Sequence, residues 1–133
     1  MTEAHVTSNL AELVCSNSFR SDDSTANAVG VLHEEMRRCD SLIMKAADTA
    51  RLPAGSALAV DRNLFSENVE KAITEEKLIN LERKEMTLSQ LSADANVIIA
   101  TGPLTSSRLS DEIAILSGRE SLAFFDAIAP VVY

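Results

Sequence analysis

Tryptophan is absent from this 133-residue chain, aromatic residues make up 4%, and there are two cysteines, two histidines and four glycines. So few rings leave little surface on which single-stranded bases could stack. The cysteines, Cys15 and Cys39, are too far apart for a CxxC pair, and only His5 and His33 accompany them. That set has no metal-ligand spacing, so no metal is expected. Gly30, Gly55, Gly102 and Gly118 are isolated from one another, and a G-x-G-x-x-G cradle for a pyrophosphate is missing. No run approaches the roughly twenty apolar residues needed to span a bilayer. The start, "MTEAHVTSNL", lacks the basic and apolar regions of a secretory signal. A cytoplasmic protein with reduced thiols and no membrane partner is the expectation. Positive charge is also short: 12 Lys and Arg face 20 Asp and Glu, giving net −8. Such a balance opposes nonspecific attraction to phosphate backbones.

What is present is a globular composition, 46% hydrophobic and 24% charged, with mean hydropathy +0.04. A chain of this length fits one domain and buries about two thirds of its unfolded surface. "SNSFRSDDSTAN", residues 16–27, is rich in side chains that bond their own backbone, and reads as a loop. Leu32, Met36, Cys39, Ile43, Ala46 and Ala50 then recur at spacings of four and three, the pattern of one apolar face on a long helix. Cys39 in that seam reads as core, and His33 beside it as a surface or partly packed residue. Pro53 and Gly55 end the helix. "ALAV" reads as a strand that delivers Asp61 or Asn63 as the cap of a helix bearing Phe65, Val69, Ala72 and Ile73. "LINLER" and "EMTLS" are weaker strand candidates. The clearest strand is in "NVIIATGPLTS", where Val97 to Ala100 form a continuous apolar run, as in a parallel sheet covered on both faces. Thr105 or Ser106 caps a last helix, with Leu109, Ile113 and Leu116 inward and Gly118 at its end. The tail, "SLAFFDAIAPVVY", is a further apolar segment. Strands alternating with helices point to an α/β layered fold with at least a partly parallel sheet.

Two places can carry chemistry. "IIATGP" has the form of a strand exit where glycine lets the backbone approach a ligand, although a tight exit needs a small residue with or without one. Cys15, in "ELVCSNSFR", leads into a polar turn, not a helical seam. A thiol there is a nucleophile if cations or backbone N–H groups favour its thiolate, and a plain structural thiol otherwise.

In order along the chain, "TEAH", "AELVCSNSFRS", "NAVGVLHEEMRR", "DSLI", "PAG", "ALAVDR", "IIATGPLTS" and "FFDAIAPVV" resemble the folate- and FAD-dependent tRNA (uracil-5-)-methyltransferase family. "AELVCSNSFR" with "PAG" and "ALAVDR" narrows the choice, since "ATG" occurs widely among flavoproteins. The resemblance implies transfer of a methylene group from methylenetetrahydrofolate to the T-loop uridine of tRNA, with FAD carrying the one-carbon unit and NAD(P)H supplying reduction. It implies a catalytic role for Cys15, flavin-side contacts from Ser16, Asn17 and Ser18, and cofactor contacts from Asp61, Arg62, Thr101 and Gly102. It also implies a partial Rossmann-like FAD-binding domain over residues 1–133, with a mostly parallel sheet and flanking helices. The family's first strand, phosphate turn and helix, and its second cysteine, have no counterpart in these residues. The chain therefore reads as an internal fragment, inactive alone and weak in binding FAD and tRNA. The alternatives are a non-catalytic interaction or structural module, and a related flavin-dependent protein that modifies the tRNA wobble uridine.

Overall fold

A computed structural model describes residues 5–91, 95–102 and 105–118. The expected matches in "TEAH", the last part of "IIATGPLTS" and the apolar tail fall wholly or partly outside these residues. The chain divides into two compact units, residues 1–81 and 82–133.

In the first unit the elements follow in the order β1 (Ser18–Ser21), α1 (Ala28–Arg38), α2 (Leu42–Thr49), β2 (Arg51–Leu52), β3 (Ala57–Val60) and α3 (Arg62–Glu75). The strands form one sheet in the order β1-β3-β2, and both pairings are antiparallel. A mostly parallel sheet was expected, and the described residues contain none. For β2 and β3 the reason is local. Between β2 and β3 lie only residues 53–56, a connection that joins antiparallel neighbours, whereas a parallel pair needs a crossover of a dozen or more residues. Gly55, at φ 62°, supplies the left-handed step in that turn.

β3 is the central strand and alternates as a half-buried strand must: Leu58 and Val60 are buried, Ala57 and Ala59 intermediate. Its buried face meets Met44, Ala46, Ala47 and Ala50 from the α2 region and Phe65 and Val69 from α3. Phe19 of β1 packs on Phe65 with ring centroids 5.3 Å apart and planes tilted by 60°, an aromatic geometry that adds to simple burial.

The predicted loop at residues 16–27 contains a strand, because β3 pairs with Ser18 to Ser21. Ser18 faces Ala59 and Ser21 faces Ala57, so β1 holds one extra residue. Arg20, at φ 70°, lies at that bulge.

The predicted long helix is two helices. Asp40 takes a left-handed conformation, φ 60°, while Asp40 N–H donates to Arg37 O and Ser41 N–H to Met36 O, each at 3.0 Å. This is a capping turn in which a non-glycine residue occupies the glycine position. Ser41 then accepts from Met44 N–H and starts α2. Only part of the expected apolar face of α1 is covered: Met36 packs against the core. The buried residues of α1 are Gly30 and His33, Leu32 is exposed, and Cys39 is an exposed free thiol and not core.

The second unit has a short 3-10 turn at Leu88–Gln90 and α4 (Ser107–Ser117). Ser106 caps α4 by accepting from Leu109 N–H, and Gly118 closes it at φ 65°. Leu109 and Ile113 are intermediate in burial, but Leu116 is exposed. "LINLER" and "EMTLS" contain no strand. Residues 95–100 are not a strand either, and Ile98 is 91% exposed. An apolar run becomes a strand only where neighbours take its backbone groups, and no described strand pairs with it.

Candidate functional site

The segment that carries Cys15 is an irregular arm, residues 5–17, held by side chains in place of a ladder. Glu12 closes the arm on itself, accepting from Val6 N–H at 2.8 Å and from the backbone and hydroxyl of Thr7. The hydrogen bond from Val6 leads the effects that hold the Glu12 carboxyl below its ordinary range. Ala11, at φ 56°, reverses the chain.

Pairing of β1 with β3 then sets the expected residues against the start of α3. Asn17 and Val60 exchange two bonds: Val60 N–H donates to Asn17 O at 2.9 Å, and Asn17 Nδ2 donates to Val60 O at 3.0 Å. Asp61 caps α3 through Oδ1, which accepts from Leu64 N–H at 2.9 Å, and its own N–H donates to Ala50 O. Arg62, the first residue of α3, donates from its guanidinium to Cys15 O at 3.2 Å. Cys15 is exposed and unpaired. Ser16 Oγ accepts from Ser18 N–H, and Ser18 Oγ accepts from Arg20 N–H, both at 3.1 Å.

Thus Cys15, Ser16, Asn17, Ser18, Asp61 and Arg62 form one local group, although 43 residues separate Asn17 from Val60 in sequence. Between the arm and α3 lies a cleft of about 210 Å³, bordered by Thr7, Glu12, Leu13, Val14, Arg62 and Asn63. The group offers a thiol, two exposed hydroxyls with a donor still free, the remaining carboxamide oxygen of Asn17 and one guanidinium. Asp61 adds a carboxylate of which one oxygen, Oδ1, is taken by the helix cap.

Thr101 and Gly102 belong to the second unit. Thr105 Oγ1 donates to Gly102 O at 2.6 Å and lies 2.6 Å from Thr101 Oγ1. A hydroxyl has one proton, so Thr101 donates to Thr105. Gly102 has φ 59° with open space where a side chain would be, which leaves the backbone approachable.

A polar cluster was not foreseen from the sequence. Asp22, just after β1, accepts from His33 Nδ1 at 2.9 Å, from Arg37 at 2.9 and 3.0 Å, and from Arg51. Arg37 also grips Asp48 at 2.7 and 2.8 Å. Burial first, and the nearby Arg37 cation second, hold the His33 pKa below its ordinary value, with Asp48 opposing them. A neutral His33 still serves by donating Nδ1–H. The cluster ties the end of β1 to α1, α2 and β2, and its signal in sequence was Gly30, His33 and Arg37 at helical spacing.

The model of the family described as glucose inhibited division protein A, GIDA, matches residues 1–133. The chain belongs to that family. This GIDA-family chain is 60% identical over 132 residues to a protein of Maricaulis maris named methylenetetrahydrofolate–tRNA-(uracil-5-)-methyltransferase TrmFO, covering 99% of the chain and 28% of that protein. A protein of the same name from Rhodopseudomonas palustris strain BisB18 is 60% identical over 133 residues, covering 100% of the chain and 28% of the relative. One from Bradyrhizobium diazoefficiens is 59% identical with the same coverage. The chain therefore spans a little over a quarter of the length of these curated relatives.

Proposed function

We propose that these 133 residues are part of a methylenetetrahydrofolate- and FAD-dependent tRNA (uracil-5-)-methyltransferase and supply a portion of a Rossmann-like FAD-binding domain. The observation that carries this reading is the convergence of Cys15, Ser16, Asn17 and Arg62 at the β3–α3 junction, in a chain 60% identical to proteins of that name. The enzyme works in the cytoplasm, takes tRNA as substrate and draws reduction from NAD(P)H.

The free donors of Ser16 and Ser18 and the Asn17 oxygen fit the alternating donors and acceptors of a flavin ring edge. Bound FAD would supply one-carbon and electron carriage, chemistry that side chains alone lack. Ser16, Asn17 and Ser18 would orient the ring, and in the second unit Thr101 and the open backbone at Gly102 would offer a cofactor contact of their own. Cys15 presents its thiol to the reacting centre, and Arg62 stands beside it. Asp61 places Arg62 through the helix cap made by its Oδ1, and its second carboxylate oxygen serves as a cofactor contact. The acidic chain contributes little to gripping tRNA, which falls to other parts of the enzyme. Alone, the chain does not turn over and holds FAD weakly.

The test is a chimera in which this chain replaces the 132 matched residues of the Maricaulis maris protein. Methylation of tRNA lacking 5-methyluridine is expected at a rate within tenfold of the parent. The Cys15→Ala chimera is expected to lose at least a hundredfold while remaining folded. A folded chimera without methylation, or full activity after Cys15→Ala, refutes the proposal.

A further inference from the structure

α3 packs its apolar residues Phe65 and Val69 into the core, but it has a second organised face. Arg62, Ser66 and Glu70 recur at intervals of four and so line up along the helix over about 12 Å. Each of them bonds to the backbone of the Cys15 arm. Arg62 donates to Cys15 O at 3.2 Å. Ser66, only 3% exposed, donates to Leu10 O at 2.6 Å. Glu70 accepts from Leu10 N–H at 2.9 Å. Both backbone groups of Leu10 are therefore satisfied by α3, one residue before the left-handed turn at Ala11.

We infer that Arg62, Ser66 and Glu70 are one positioning stripe, which lays the arm antiparallel along α3 and so fixes where Cys15 stands. The arm has no strand or helix of its own from His5 to Asn17, so its backbone groups need partners from elsewhere. Ser66 and Glu70 anchor the far end, and Arg62 together with the Asn17–Val60 exchange anchors the near end. Ser66 and Glu70 act on Cys15 through the arm, without touching it. The inference deepens the reading above, since positioning matters to function only if Cys15 carries the chemistry.

Two alkylating agents of similar size but different charge, iodoacetate and iodoacetamide, test it on the 133-residue chain. Rates at Cys15 and at the exposed Cys39 are followed separately by peptide mass spectrometry at low ionic strength. Arg62 held at Cys15 favours the anionic reagent there. Unit charges 4 Å apart in water interact by about 1 kcal/mol before screening, equivalent to about fivefold in rate. Arg62→Ala is expected to lower the iodoacetate-to-iodoacetamide ratio at Cys15 by about two- to fivefold, with Cys39 unchanged. Ser66→Ala and Glu70→Ala are expected to lower it similarly, although neither residue carries a positive charge and loss of the Glu70 carboxylate by itself favours the anion. Glu70→Gln, which makes the same charge change but keeps an acceptor for Leu10, is expected to retain the ratio. If Ser66→Ala loses helical circular dichroism, the Glu70 pair decides. An unchanged Cys15 ratio in Glu70→Ala, or the same loss in Glu70→Gln, overturns the inference. The measurement needs neither flavin nor tRNA, so its failure is separate from a failure of methyl transfer.

Discussion

Gly30 lies inside α1, where helix propensity alone favours alanine by about 1 kcal/mol. The tertiary structure reverses that preference. A Cβ on Gly30 would stand 2.3 Å from both the carbonyl carbon and oxygen of Asp23 and 2.7 Å from Ser24 N. Carbon atoms pack at about 3.5–4.0 Å, so the helix and the loop must separate by more than an ångström. The obstacle is backbone and has no rotamer to change. Asp23 also follows Asp22, whose carboxylate is held by His33, Arg37 and Arg51, so the loop cannot retreat without stretching those bonds. Overpacking of this kind costs about 1–3 kcal/mol, and more where backbone is rigid. Set against the propensity gain, Gly30→Ala is expected to destabilise the chain by about 2 kcal/mol, or roughly 8–16 °C in Tm for a unit near 80 residues. Thermal melting followed by circular dichroism at 222 nm measures it, with hydrogen exchange at residues 22–27 showing whether the loop opens. A Gly30→Ala melting temperature at or above that of the unmutated chain refutes the reasoning.

Other outcomes follow from the same contacts. His33 has a folded pKa below its unfolded value, so the unfolded chain binds the extra proton first; its contribution is intact above about pH 6.5 and is lost as pH falls below that through the folded value. Melts between pH 7.5 and 5.5 should show that fall, and His33→Asn, which keeps a donor near Nδ1, should flatten it. Asp22→Asn weakens the shared acceptor for Arg37 and Arg51 and is expected to cost about 2 kcal/mol, read by urea unfolding. Phe65→Ala removes the largest fully buried side chain among the described residues and its contact with Phe19; a loss of about 3–5 kcal/mol should leave little cooperative unfolding. Gly118→Ala, at φ 65° with open space around it, should cost only about 1 kcal/mol from backbone strain, checked by exchange in the last turn of α4.

Local rules read some elements correctly and failed where a partner decided. "ALAV" followed by Asp61 was legible as strand and helix cap, because alternation and capping are properties of a few consecutive residues. Ser106 and Gly118 marked the ends of α4 for the same reason. The break at Asp40 was not legible, since the apolar spacing ran through it and the left-handed step has no obligatory residue type. The run at residues 95–100 was hydrophobic enough for a strand, but hydrophobicity does not provide a neighbour. The candidate site was partly visible: the residues around Cys15 and Arg62 stand out through the resemblance, whereas Ser66, Glu70 and Asp22 carry no sequence pattern that sets them apart.

By itself, then, the sequence determined the charge balance, the absence of a glycine-rich phosphate turn, the amphipathic pattern of α3 and the likeness of "AELVCSNSFR" and "ALAVDR" to a methyl-transferring family. Those features depend on composition and short-range order. Only the tertiary structure decided that β1 pairs antiparallel with β3, that His33 is buried and Cys39 exposed, and that one face of α3 reaches the arm bearing Cys15. Each depends on which backbone and polar groups meet across tens of residues, and a hydrogen bond is made or missed over a few tenths of an ångström.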